Sequence, residues 1–173
     1  MKTLPISFLV LVVSLLFISC SKNDTHNSHT VNVRLTDNPY DAEEVNVDIR
    51  SVQLKHSDDE GDEDGWTSID TDDRIYNLLE LQNDVNVLLA SGQYPHDDIK
   101  EIRLLLGDDN SIKINGISYP MKVPSGSSSG LKIKVDKDLS GPVTDILIDF
   151  DAALSVHKSD DGQYMLRPVI RLK

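Results

Sequence analysis

Ser128 sits at the centre of Gly126-Ser-Ser-Ser-Gly130, a literal G-x-S-x-G, and Asp149, Asp151 and His157 follow it in the order of a hydrolase triad. That chemistry needs the serine on a strained turn from a strand into a helix. Here the serines lead into Leu-Lys-Ile-Lys-Val, residues 131–135, which alternates like a strand. They read as a flexible connection, and no catalytic residue is assigned. Asp149 and Asp151 lie two apart and so share one strand face, where a solvated pair is expected. A denser group of acids lies at Asp58, Asp59, Glu60, Asp62, Glu63 and Asp64. Calcium takes 6–8 oxygen ligands and suits flexible acidic loops. The spacing does not fit the D-x-[DN]-x-[DN]-G pattern, however. The favoured reading is a solvated hairpin tip, with Asp58, Asp59, Asp62 and Asp64 as calcium ligands in the alternative. His26, His29, His56, His96 and His157 lack zinc-site spacing. Gly107-Asp-Asp-Asn110 reads as a turn. Trp66, Tyr40, Tyr76, Tyr94, Tyr119 and Tyr164 could stack on sugar rings, because aromatic faces are flat and amphipathic. A β domain with few aromatics also spends them in its core and corners.

The one cysteine, Cys20, ends an apolar run from Leu4 to Ile18. Met1-Lys2 supplies a short positive start, and Ser19 is a small residue before the cysteine. This is the layout of a cleaved secretory leader. The run is 15 residues, shorter than the ~20 a membrane-spanning helix needs. Leu-Leu-Phe-Ile-Ser-Cys resembles a bacterial lipobox, with Phe17 where leucine is usual. The resemblance implies cleavage before Cys20 and acylation of that residue. With each buried methylene contributing ~0.8 kcal/mol, several chains give stable anchoring. The expected organisation is a leader at 1–19, a lipidated cysteine and tether at 20–30, and one domain at 31–173. The expected location is the bacterial outer membrane, its periplasmic or external side left open. A single cysteine also leaves no intramolecular disulfide to hold the domain together.

Net charge is −12 over 173 residues, and −13 once Lys2 leaves with the leader. That charge repels nucleic acid and anionic lipid. The membrane is therefore a partner through lipid on Cys20, not through the protein surface. A protein or a glycan remains open as a further partner, and no cofactor is called for.

The elements that must position any site are strands. Val31, Val33 and Leu35 alternate with polar residues, as do Val45, Val47 and Ile49. Val52 and Leu54 fall on the opposite parity, which predicts a bulge near Arg50-Ser51. Residues 74–91 carry leucines at helical spacing and are expected to form a short helical crossover, or an irregular one. Asn115-Gly116 predicts a two-residue hairpin turn. Leu131, Ile133 and Val135 alternate with lysines. Ile146, Ile148 and Phe150 should face a core. Ala153 to His157 should pair with Tyr164 to Leu172 across Ser-Asp-Asp-Gly. Eight to ten short strands argue for an all-β fold, an antiparallel Greek-key sandwich.

Four segments together carry a family resemblance: VRLTDNPYDAEEVNVDI, YPHDDIKEIRLLLGDDN, INGISYPMKVPSGSSSGLKI and ILIDFDAALSVHK with YMLRPVIR. They are similar to a domain-of-unknown-function family, number 4382, found largely in bacterial lipoproteins. The resemblance implies an immunoglobulin-like or transthyretin-like sandwich behind a lipid anchor, and no reaction. The functional expectation is a non-catalytic, lipid-anchored envelope protein presenting a binding or assembly domain. A carbohydrate-binding accessory lipoprotein is the alternative, and a serine hydrolase comes after it.

Overall fold

A computed structural model describes residues 28–38, 40–56, 65–124 and 130–173. Thirteen strands occupy most of them. They are β1 (His29–Thr36), β2 (Glu44–Lys55), β3 (Trp66–Thr71), β4 (Arg74–Asn77), β5 (Val87–Tyr94), β6 (Asp98–Leu106) and β7 (Ser111–Ile114). Then follow β8 (Ile117–Lys122), β9 (Leu131–Asp138), β10 (Val143–Phe150), β11 (Val156–Lys158), β12 (Tyr164–Leu166) and β13 (Ile170–Leu172). A 3-10 turn at Leu78–Leu81 and one helical turn, α1 (Ala152–Ser155), complete the described elements. The described residues form an all-β fold, as the alternation implied.

The strands form one curled sheet in the order β11-β12-β8-β7-β2-β3-β5-β1-β10-β13. β4 and β6 also pair with β2, and β9 pairs with β6. The sheet is mixed rather than wholly antiparallel, because β1 runs parallel to β10 and β12 parallel to β8. Side by side, Val33 meets Ile146 and Leu35 meets Ile148. The apolar row of each strand therefore faces the same core, which sets the register: a one-residue slip of either strand would turn its own row outward. β1 already starts at His29, two residues before the alternation becomes visible in apolar residues.

β2 carries the expected bulge. Its ladder with β6 shifts register between Ile49 and Ser51. Val45, Val47 and Ile49 are buried before the shift, and Val52 and Leu54 after it. Burial thus continues across a change of parity. The first half of β2 pairs with β4 and β7, and the second half with β3. One bent strand thereby joins two regions of the sheet.

Residues 74–91 are not a helical crossover. β4 and the start of β5 occupy its ends, with only the 3-10 turn between. Leu78 and Leu81 are buried three apart, which suits three residues per turn. Asn83 and Asp84 then take φ of 57° and 65°. Two left-handed residues in succession end any helix there. Val85 and Leu88, which a helix would have buried, are 51% and 40% exposed.

The C-terminal hairpin also differs. Residues 152–155 form α1 instead of a strand, because the Asp151 carboxylate accepts the Leu154 N–H at 3.0 Å and caps the turn. β11 pairs only with β12, and β13 leaves to pair with β10. Pro168 stands between them with no N–H to give to a ladder. At the other hairpin, Asn115 and Gly116 have φ of 52° and 76°. Both central positions of the two-residue turn are left-handed, as expected.

Candidate functional site

Cys20, His26, Asp58, Asp59, Asp62, Asp64 and Ser128 lie outside the described residues. Among the described residues, no group of three or more His, Cys, Asp or Glu side chains converges on a metal position.

Asp149 and Asp151 are not a solvated pair. They are 2% and 5% exposed. Arg171 is the cross-strand neighbour of Asp149. Its Nε donates to Asp149 at 2.8 Å and its second guanidinium nitrogen to Asp151 at 3.0 Å. The Asn38 amide donates to the same two carboxylates, at 2.8 and 3.3 Å. Asp37 joins them from the end of β1 and accepts the Ala152 N–H at 2.8 Å. Burial, opposed by backbone N–H groups and reinforced by the charges of Asp149 and Asp151, pushes the Asp37 carboxyl up to about 6. This cluster ties the segment after β1 to β10, α1 and β13. The acids that a hydrolase would need are engaged in holding the fold, and His157 lies exposed on β11.

The Gly107–Asn110 turn is likewise structural. The Asn110 amide donates to the Gly107 carbonyl at 2.7 Å, and its oxygen accepts the Asp48 N–H at 2.9 Å. Asp48 is wholly buried on β2 and accepts from Arg50 at 2.7 Å. A Cβ on Gly107 would stand 2.0 Å from the Asp48 Oδ2. Only glycine lets the turn close over this carboxylate.

The arrangement best suited to meet a ligand lies where β8 and β12 run side by side. The parallel register sets Tyr164 against Met121, which brings Tyr164 to Tyr119 two residues away on β8. Their ring centroids are 5.2 Å apart and the rings are inclined at 47°. The two tyrosines line an open cavity of about 320 Å³ with Pro120, Lys122, Gly162 and Gln163. Both rings are half-buried and pack against the core, which holds them in place. The Lys158 ammonium lies 5.2 Å from the Tyr164 centroid. Gln163 is steadied by its amide donating to Asp161 at 2.9 Å, and the Ser159 hydroxyl also donates to Asp161. The Ser159 hydroxyl first, and then the Gln163 backbone N–H, draw the Asp161 carboxyl below its usual range. Tyr40 stands nearby, its phenol pushed up first by burial and then by Tyr164.

A family model described as Domain of unknown function (DUF4382) matches residues 28–168. The chain belongs to the DUF4382 family. No curated protein and no solved structure matches it significantly.

Three other aromatics of this DUF4382 domain are spent elsewhere. Tyr94 and Tyr76 are buried. Trp66 lies under cations, with the Arg103 guanidinium 4.3 Å from its ring and the Lys55 and Lys132 ammonium groups at 5.6 and 5.5 Å. Of the six aromatics singled out by type, Tyr119 and Tyr164 are the two that frame a concave surface together. No sequence spacing announces them, since 45 positions separate the pair. Chemically the cleft offers two aromatic faces, an ammonium and an amide. It suits holding a small ligand.

Proposed function

We propose that this DUF4382 domain is a non-catalytic binding module of the bacterial cell envelope, held at the outer membrane by lipid on Cys20. The cleft of Tyr119 and Tyr164 is its ligand-facing surface. The observation that carries this is an open concavity whose rings are braced by the core and whose polar groups come from the end of β8 and the turn that leads into β12. The buried carboxylates, which chemistry would require, are already committed to Arg171, Asn38 and backbone N–H groups. The charge of −12 makes the lipid, not the surface, the membrane contact. The reading needs no cofactor and no nucleic acid.

Two measurements test it. A fatty-acid probe fed to cells labels the wild-type chain and leaves Cys20→Ala unlabelled; label on the variant overturns the anchor. A photo-crosslinking residue at Gln163, on the cleft, forms an adduct with an envelope component in intact cells, whereas the same group at Lys100 does not. Equal adducts at both positions, or none at 163, overturn the binding face.

A further inference from the structure

We infer that the β8–β12 cleft is a carbohydrate site in which Tyr119 and Tyr164 stack on a sugar ring. The inference deepens the binding-module reading and rests on it. Size comes first. At about 320 Å³, the cleft stands at the lower end of the roughly 300–1,000 Å³ usual for ligand pockets. That is room for a short saccharide and not for a folded partner.

Geometry comes second. Rings inclined at 47° with centroids 5.2 Å apart form a splayed pair, not a closed stack. A splayed pair leaves aromatic surface facing the cavity. The apolar C–H face of a pyranose packs on such a surface while its hydroxyls stay at the edge. Because both rings are packed against the core, little side-chain freedom is lost on binding.

Chemistry comes third. The apolar lining is aromatic plus Pro120, without an aliphatic wall. An amide and an ammonium, Gln163 and Lys122, stand beside it. Gln163 is already oriented by Asp161, so its remaining hydrogen-bonding capacity points from a fixed position. Lys122 is offset by the charge of Asp161, which it also influences. The cleft thus presents both signs of charge, Lys122 and Lys158 against Asp161. A hydroxyl-rich ligand answers all three features, whereas an aliphatic or strongly charged one answers only part of them. Gly162, at φ of 84° with open space around its Cβ position, lets the β11–β12 tip turn without narrowing the entrance.

The test uses the full chain in detergent, run by affinity electrophoresis through gels containing neutral β-glucan, xylan, galactomannan or polygalacturonate. At least one polysaccharide retards the wild type. Tyr119→Ala and Tyr164→Ala weaken that retardation by about tenfold, the loss of one stacking contact. Tyr164→Phe stays close to wild type, because the ring and not the hydroxyl does the stacking. Thermal unfolding of each variant separates lost binding from lost fold. If a tyrosine variant fails to fold, Gln163→Ala, which removes no packed ring, carries the test with a smaller loss. No retardation by any of the four, or retardation that survives every substitution, overturns the carbohydrate site. A protein adduct from position 163 without retardation overturns it too, yet leaves the binding module standing. Neither adduct nor retardation overturns both.

Discussion

At the scale of single residues, the unusual groups are titratable side chains drawn out of water. Asp37 is 2% exposed and keeps its proton up to about 6, against 3.8 in an unfolded chain. Between those values the folded chain binds more protons than the unfolded one, so stability falls as pH rises through that window. At about 1.4 kcal/mol per unit, the loss amounts to a few kcal/mol. His29 adds a slope in the same direction. Its Nδ1–H donates to the Gly141 carbonyl at 2.7 Å, and its Nε2 lies 3.1 Å from Asp97 Oδ1. The carbonyl first and the carboxylate second raise the imidazole above 6.5. That contribution is complete below 6.5 and is lost as pH rises through the raised value. Denaturant unfolding is therefore expected to give a lower midpoint at pH 8 than at pH 5. Asp37→Asn should flatten the acid part of this slope and raise stability at neutral pH. His29→Gln should remove the part above 6.5. A midpoint that rose from pH 5 to pH 8 would contradict both assignments.

At the scale of elements, the bulge in β2 and the turn at Gly107 are one construction. Asp48 is buried just before the register shift, where Arg50, the Asp109 N–H and the turn backbone surround it. The cost of that burial is met only if the turn approaches closely. Gly107→Ala forces a methyl to within 2.0 Å of Asp48 Oδ2 and 2.6 Å of Arg50 Nε. It should destabilise the domain by about 2–3 kcal/mol, read as a lower melting temperature. Asp48→Asn together with Gly107→Ala should not restore it, because the clash is steric. Gly116→Ala meets no neighbour within 4 Å, so its loss should be limited to the left-handed backbone, about 1 kcal/mol. The zone of residues 74–91 shows how element type escapes a periodicity argument. Leucines three apart satisfy a single 3-10 turn as well as a helix. The deciding feature is backbone at Asn83 and Asp84, two residue types that tolerate the left-handed region without demanding it.

At the scale of the whole molecule, strands distant in sequence hold one another. β1 pairs with β10 more than 100 positions later, and the acid cluster spans the same distance. The charge of −12 acts at this scale as well. The Cys20→Ala chain should not co-sediment with anionic phospholipid vesicles even at low salt, where attraction would be strongest. Sedimentation with such vesicles would show a membrane contact made by the protein surface.

Local signals fixed much of this architecture in advance. Period-two alternation identified β1, β2, β9 and β10, the parity change located the bulge, and Asn115-Gly116 placed the hairpin. Each depends on residues a few positions apart, so the chain's own order records it. The parallel pairings, the burial of Asp149 and Asp151, and the meeting of Tyr119 with Tyr164 were decided only by the tertiary structure. An aspartate is solvated or buried according to whether an arginine arrives beside it, and a tyrosine becomes part of a cleft only when another strand supplies the second wall. Neither partner is a neighbour in the chain, and no local preference encodes which distant strand will come alongside.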